Sequence, residues 1–150
     1  MQQLIYLISL SFCLSSAGSS WHTHYPSARS LAKETNKPIL MVFSGSDWCR
    51  PCIMMDKEVF STETFMQYAD TNLVLLKVDF PRRKKILLNA SQQTHNDALA
   101  AKYNPQGSFP SVVLLSQHGE VMAQTDYLAG GVNSLIQFLD PHLEELKSTD

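Results

Sequence analysis

Residues 46–52 read Ser-Asp-Trp-Cys-Arg-Pro-Cys and set two cysteines, Cys49 and Cys52, three positions apart. Such a pair can be a metal clamp, a structural disulfide or a reactive dithiol. A structural zinc site wants four ligands, commonly as two paired knuckles. This chain has no second cysteine pair, and His22, His24, His95, His118 and His142 fall at no ligand spacing from the first. No metal site is expected. As a staple the pair is weak, because a bridge across so short a loop removes little unfolded-state entropy. The spacing is best used for redox chemistry. A cysteine in the first turn of a helix meets unpaired N–H groups and the positive end of the macrodipole, which favour its thiolate. Cys49 is expected in that place. Cys52 would share its face, within reach of a mixed disulfide formed through Cys49. Pro51 fits between them, since first-turn N–H groups have no intrahelical partner. Arg50 adds a positive charge that favours the thiolate, and Asp47 opposes it.

The elements around the pair must hold it at a strand-to-helix junction. "ILMVF" (39–43) is a short apolar run between Pro38 and Gly45, as expected of a strand buried on both faces. A helix is expected from about Cys49 to Phe60, with Ile53, Met54 and Val59 packing inward; Met54 and Met55 read as core side chains rather than soft-metal ligands. Upstream, 25–38 reads as a helix capped by Ser27, with Ala28, Leu31 and Ala32 on one face and Pro38 as its stop. Downstream, 61–70 reads as a further helical turn or two capped by Ser61 or Thr62, and "LVLLKVDF" (73–80) as a second buried strand. The polar stretch 81–97 begins irregularly and enters a helix ending near Tyr103-Asn104. "SVVLLS" (111–116) and "EVMAQTDY" (120–127) form a hairpin turning at Gly119. A last amphipathic helix spans 133–147, capped by Asn133 and kinked at Asp140-Pro141. Strands separated by helices imply parallel pairing, and the late hairpin adds antiparallel strands. A mixed central sheet with helices on both faces follows.

The chain has 150 residues and a formal net charge of −2, so it offers no field for nucleic acid or an anionic membrane. The run Arg82-Arg83-Lys84-Lys85 reads as a solvated loop, with no aromatic residues interleaved. "LIYLISLSFCL" (4–14) is too short to span a bilayer and is followed by the small residues "SSAGSS". Residues 1–18 are therefore expected to be a cleaved export signal, although "MQQ" carries no Lys or Arg. The alternatives are an uncleaved anchor or a lipoprotein acylated at Cys13, which the bulky Phe12 disfavours. Cleavage would leave a single domain over 19–150, outside the cytoplasm, with Cys49 and Cys52 as its cysteines. His22 and His24 would lie in a mobile tail, and neither Trp21 nor Tyr103 has an assignable role.

Taken together, "DWCRPC" after "ILMVF", then "KVDF", "FP" leading into "SVVLL", the hairpin "QHGEV" and "LAGG" before the last helix resemble the thioredoxin superfamily. The resemblance covers essentially all of 19–150. It is greatest to the exported, single-domain disulfide oxidoreductases of bacterial envelopes, including the DsbH type of periplasmic reductase. It implies an α/β thioredoxin fold, with Cys49 attacking, Cys52 resolving and Trp48 shaping an apolar rim. It further implies that Pro110 is cis, and that Phe109 presents backbone to an extended substrate strand. No cofactor is implied. The implied partners are proteins with disulfides and a membrane-associated dithiol that returns electrons, and the chain is expected to act as a monomer in the periplasm.

Direction is the open point. Pro51 matches the reducing members and Arg50 acts the other way, across potentials that span roughly 150 mV in such proteins. Reduction is the favoured reading; an oxidase or isomerase, or a non-catalytic peptide-binding module, are its rivals. The sequence departs from the family in two places. Cytosolic members carry a buried acid on the strand before the motif, where this chain has "MVFSGS", so the route by which Cys52 loses its proton is not given. The 81–97 stretch is longer than the usual link, and reads equally as a partner surface or a bland excursion.

Overall fold

A computed structural model of the protein describes residues 20–149; the expected export signal lies outside them. The elements run β1 (Trp21–His22), α1 (Tyr25–Thr35), β2 (Ile39–Ser44), α2 (Arg50–Met55), a π turn (Asp56–Phe60), α3 (Glu63–Asn72), β3 (Val74–Asp79), a 3-10 turn (Lys84–Ile86), α4 (Ala90–Tyr103), β4 (Ser111–Leu115), β5 (Val121–Thr125) and α5 (Gly131–Thr149). They form one sheet in the order β1-β3-β2-β4-β5. β3 pairs parallel with both β1 and β2, while β4 pairs antiparallel with β2 and β5.

Every residue of β2 is buried, because the strand lies centrally and helices cover both of its faces. Alternation divides its side chains between two cores. Leu40 and Val42 pack with Met55, Phe60, Phe65, Leu135 and Leu139 on one face. Ile39, Met41 and Phe43 pack with Ala28, Ala32, Leu76, Leu99 and Tyr103 on the other. The site therefore grows from the end of a strand fixed on both sides.

Several local expectations are corrected. Helix α1 is capped by His24 rather than Ser27, whose hydroxyl donates to the His24 carbonyl at 2.8 Å, and Pro26 fills its first turn. It stops at Asn36, which adopts a left-handed conformation (φ 53°) two residues before Pro38. Leu31 lies at the surface instead of in the core. In α2 the inward residues are Cys52, Met55 and then Val59, so Ile53 and Met54 face outward at 47% and 38% exposure. Burying Cys52 sets the helical phase, and residues three and seven further on share its face. Helix α5 begins at Gly131, so Asn133 is not its cap, and it continues through Pro141. Leu135, Leu139 and Leu143 recur every four residues and are buried on both sides of that proline, which holds the helix together despite the lost hydrogen bond.

The start of the described chain is not a loose tail. Trp21 and His22 pair with Leu75 and Leu76, and the Trp21 indole packs edge-on against Phe60 with centroids 5.3 Å apart. Tyr103 also gains a role: its hydroxyl donates to the Gly119 carbonyl at 3.0 Å, tying α4 to the β4–β5 turn.

Candidate active site

The turn between β2 and α2 carries the cysteine pair. The N–H groups of Trp48 and Cys49 both donate to the Gly45 carbonyl, at 3.2 and 2.9 Å. Gly45 has to be glycine, because a Cβ there would lie 2.3 Å from the Trp48 indole. Three contacts then pin the turn to the end of β3 and the loop beyond it. Ser46 donates its N–H (2.9 Å) and its hydroxyl to the two carboxylate oxygens of Asp79. The Asp47 carboxylate accepts the N–H groups of Arg82 (3.0 Å) and Arg83 (2.6 Å). The Trp48 Nε1–H donates to the Phe80 carbonyl at 2.7 Å.

Cys49 is the residue that caps α2, with extended backbone, and its Sγ accepts the Cys52 N–H at 3.3 Å. The sulfur thus takes one of the donors that a helix start leaves unpaired. The two cysteines are joined as a disulfide with their Cα atoms 5.2 Å apart. Cys49 is 5% exposed and Cys52 3%, while Arg50 and Pro51 between them are exposed. The pair lies in the wall of the molecule, with the charged guanidinium of Arg50 directed to solvent.

Phe109 and Pro110 come to the same neighbourhood from the start of β4. Their peptide bond is cis, Pro110 is buried, and the half-buried Phe109 ring meets Trp48 and Phe80 edge-on with centroids 5.4 and 5.6 Å away. Trp48, Cys49, Cys52, Phe109 and Pro110 therefore belong to one end of the sheet, as their sequence order alone could not show. The expectation that 82–85 is a solvated loop needs amending at its first residue. The Arg82 guanidinium lies 3.7 Å from the centre of the Trp48 ring and covers it as a cation–π partner.

Asp47 also differs from the simple opposing charge expected beside Cys49. Desolvation raises its pKa, but the N–H bonds from Arg82 and Arg83 outweigh that and hold the carboxyl below its ordinary value. Its negative charge is directed at those donors. The absence of an acid on β2 is confirmed: in register with Lys77 of β3 stands Val42. Lys77 instead meets Asp56, its Nζ 3.0 Å from Oδ1. The sequence assigns neither residue a role, although Lys77 opens the "KVDF" stretch and is a lysine inside the otherwise apolar run "LVLLKV". Among the described residues, no group of three or more His, Cys, Asp or Glu side chains gathers in a way that could hold a metal ion.

Comparison with known proteins agrees with this geometry. Residues 20–116 match the model of a family described as thioredoxin-like. The chain is 31% identical to the disulfide bond reductase DsbH of Chlamydia pneumoniae, over 79% of its own length and 69% of that protein. It is 34% identical to the thioredoxin-related protein DsbJ of the same organism over 64% of its length, but spans only 27% of that relative. A solved structure described as a DsbH oxidoreductase superposes with a TM-score of 0.77 at 26% identity, covering 94% of this chain and 95% of that one. A Cys-x-x-Cys disulfide at the head of α2, on a sheet that such relatives share, has one chemical meaning. This chain belongs to the thioredoxin-like family and is a thiol–disulfide oxidoreductase.

Proposed function

We propose that the chain reduces disulfides in proteins outside the cytoplasm, with Cys49 attacking and Cys52 resolving. The observation that carries this reading is the placement of Cys49. It caps α2, and its sulfur accepts an N–H from within the pair. In the reduced protein those features favour a thiolate at Cys49, which attacks a substrate disulfide to give a mixed disulfide. Cys52 then displaces the reduced substrate and closes the Cys49–Cys52 bond. Trp48, Arg50 and Pro51 shape the rim, and the backbone beside Phe109 and Pro110 holds an extended substrate strand. No cofactor takes part; a membrane-associated dithiol restores the reduced pair.

Reduction rather than oxidation is supported by Pro51 and by similarity to a relative named as a disulfide bond reductase. A titration of the Cys49/Cys52 couple against a dithiol buffer tests it. The expected potential is close to the roughly −270 mV of thioredoxin; a value near the −120 mV of strong oxidants would overturn the direction. Residues 1–18 are proposed as the export signal, on the apolar run and small residues that follow it. Mass spectrometry of chain recovered from the periplasm should find it beginning near Ser19, and a chain retaining the segment would rule out cleavage.

A further inference from the structure

Cys52 is almost fully buried, and as a thiol it must lose a proton before it can attack the mixed disulfide. Strand β2 gives it no help, since Ile39–Ser44 contains no ionisable side chain. Cys52 instead borders a cavity of about 80 Å³ that is also lined by Ser44, Ser46, Ile53, Asp56 and Lys77. A polar cavity of that size admits water, each molecule taking about 30 Å³ in the liquid.

Asp56 stands one helical turn beyond Cys52, and its N–H donates to the Cys52 carbonyl. Its side chain is held from two sides. Lys77 Nζ reaches Oδ1 at 3.0 Å and the Ser61 hydroxyl donates to Oδ2 at 3.3 Å. A carboxylate has about four lone-pair sites, so two bonds leave it able to accept a hydrogen bond from water. The other nearby acids do not line this cavity: Asp47 holds the Arg82 and Arg83 N–H groups, Asp79 has its two oxygens on Ser46, and Glu58 accepts the Tyr127 hydroxyl at 3.2 Å. Lys77, whose Nζ is 5.9 Å from the Trp21 ring centre, supplies the positive charge on the β3 side.

We propose that Asp56, oriented by Lys77, accepts the Cys52 proton through water in this cavity when the mixed disulfide is resolved. The inference rests on the dithiol reading above. The Cys52 S–H bond breaks and its proton passes through water to the Asp56 carboxylate. The Cys52 thiolate attacks Cys49 Sγ, the Cys49–substrate S–S bond breaks, and the Cys49–Cys52 bond forms. The substrate sulfur leaves with the electron pair and takes back the proton that Asp56 held. The cysteine pair is oxidised by two electrons and the substrate disulfide is reduced by two, with no other reactant.

Rapid mixing of the reduced protein with a glutathione-capped peptide disulfide separates formation of the mixed disulfide from its resolution. In Asp56→Asn, formation should keep its wild-type rate while resolution slows by about 10²-fold near neutral pH, the usual scale of a lost general base. That deficit should narrow as pH rises into the alkaline range, where hydroxide takes the Cys52 proton in place of the carboxylate. Asp56→Glu should retain most of the rate. Resolution in Asp56→Asn at the wild-type rate, or slowed equally at every pH as a packing defect would give, overturns the proposal. A wild-type chain that forms the mixed disulfide and never resolves it overturns the dithiol reading itself, which is a different result from either.

Discussion

The indole of Trp48 is held on three sides: its N–H by the Phe80 carbonyl, one face by the Arg82 guanidinium, and its edge by the Phe109 ring. Arg82 can lie there because its own N–H, with that of Arg83, is fixed to the Asp47 carboxylate. One charged side chain therefore fastens the loop after β3 onto the residue preceding Cys49. The latch depends on pH in a direction that can be worked out. In the folded chain the Asp47 pKa is lowered, so the folded form binds fewer protons there than the unfolded form does. Its contribution is complete above the ordinary carboxylate value of about 3.9 and is lost as pH falls through the lower, folded value. With Trp21→Phe leaving Trp48 as the sole tryptophan, acidification should change the Trp48 fluorescence with a midpoint below about 3.9. Asp47→Asn should abolish that transition at unchanged helix content. A midpoint at or above the ordinary value, or the same transition in Asp47→Asn, would show that the latch is not the titrating group.

At the scale of elements, what could be read from the sequence depended on how local the determinants were. β2 and β3 announce themselves as apolar runs between breakers, and Cys49, Pro51 and Cys52 carry their chemistry in four consecutive residues. The sequence locates helix α2 but not its rotation. Ile53, Met54 and Met55 are all apolar, so composition alone does not select the inward one; the buried Cys52 does, and it chooses Met55. Strand β1 is two residues long and has no periodicity to detect, yet the Trp21 ring secures it between Phe60 and Phe65. Pro141 marks a kink or restart in the sequence, and α5 runs on through it with leucines buried on both sides. The parts of the site that stayed illegible are long-range pairs. Asp47 meets Arg82 across 35 positions and Asp56 meets Lys77 across 21, distances at which no motif records a partner. Even the missing acid on β2 was visible only as a gap; what borders Cys52 instead required the fold.

The whole molecule sets the redox direction, because potential and stability are linked through a closed cycle. Folding and reduction can be carried out in either order, so a fold that stabilises the oxidised pair more than the reduced pair must lower the potential below that of the unfolded chain. About 30 mV of lowering corresponds to about 1.4 kcal/mol of extra stability in the oxidised form. The covalent link itself adds little, since it closes a loop of only a few residues. A difference between the two forms therefore reports on the folded site. Strong oxidants sit on the opposite side of the cycle, because their reduced form is the stabilised one. For the proposed reductase, urea unfolding should show the oxidised chain to be the more stable. A gap of about 3 kcal/mol would separate the midpoints by about 1–3 M at the usual slopes for a domain of this kind. In a Cys49→Ser, Cys52→Ser chain the dependence on redox state should vanish, leaving one midpoint under both conditions. If the reduced wild-type chain instead outlasts the oxidised one, the cycle requires an oxidising couple, and Arg50 rather than Pro51 has prevailed at the head of α2.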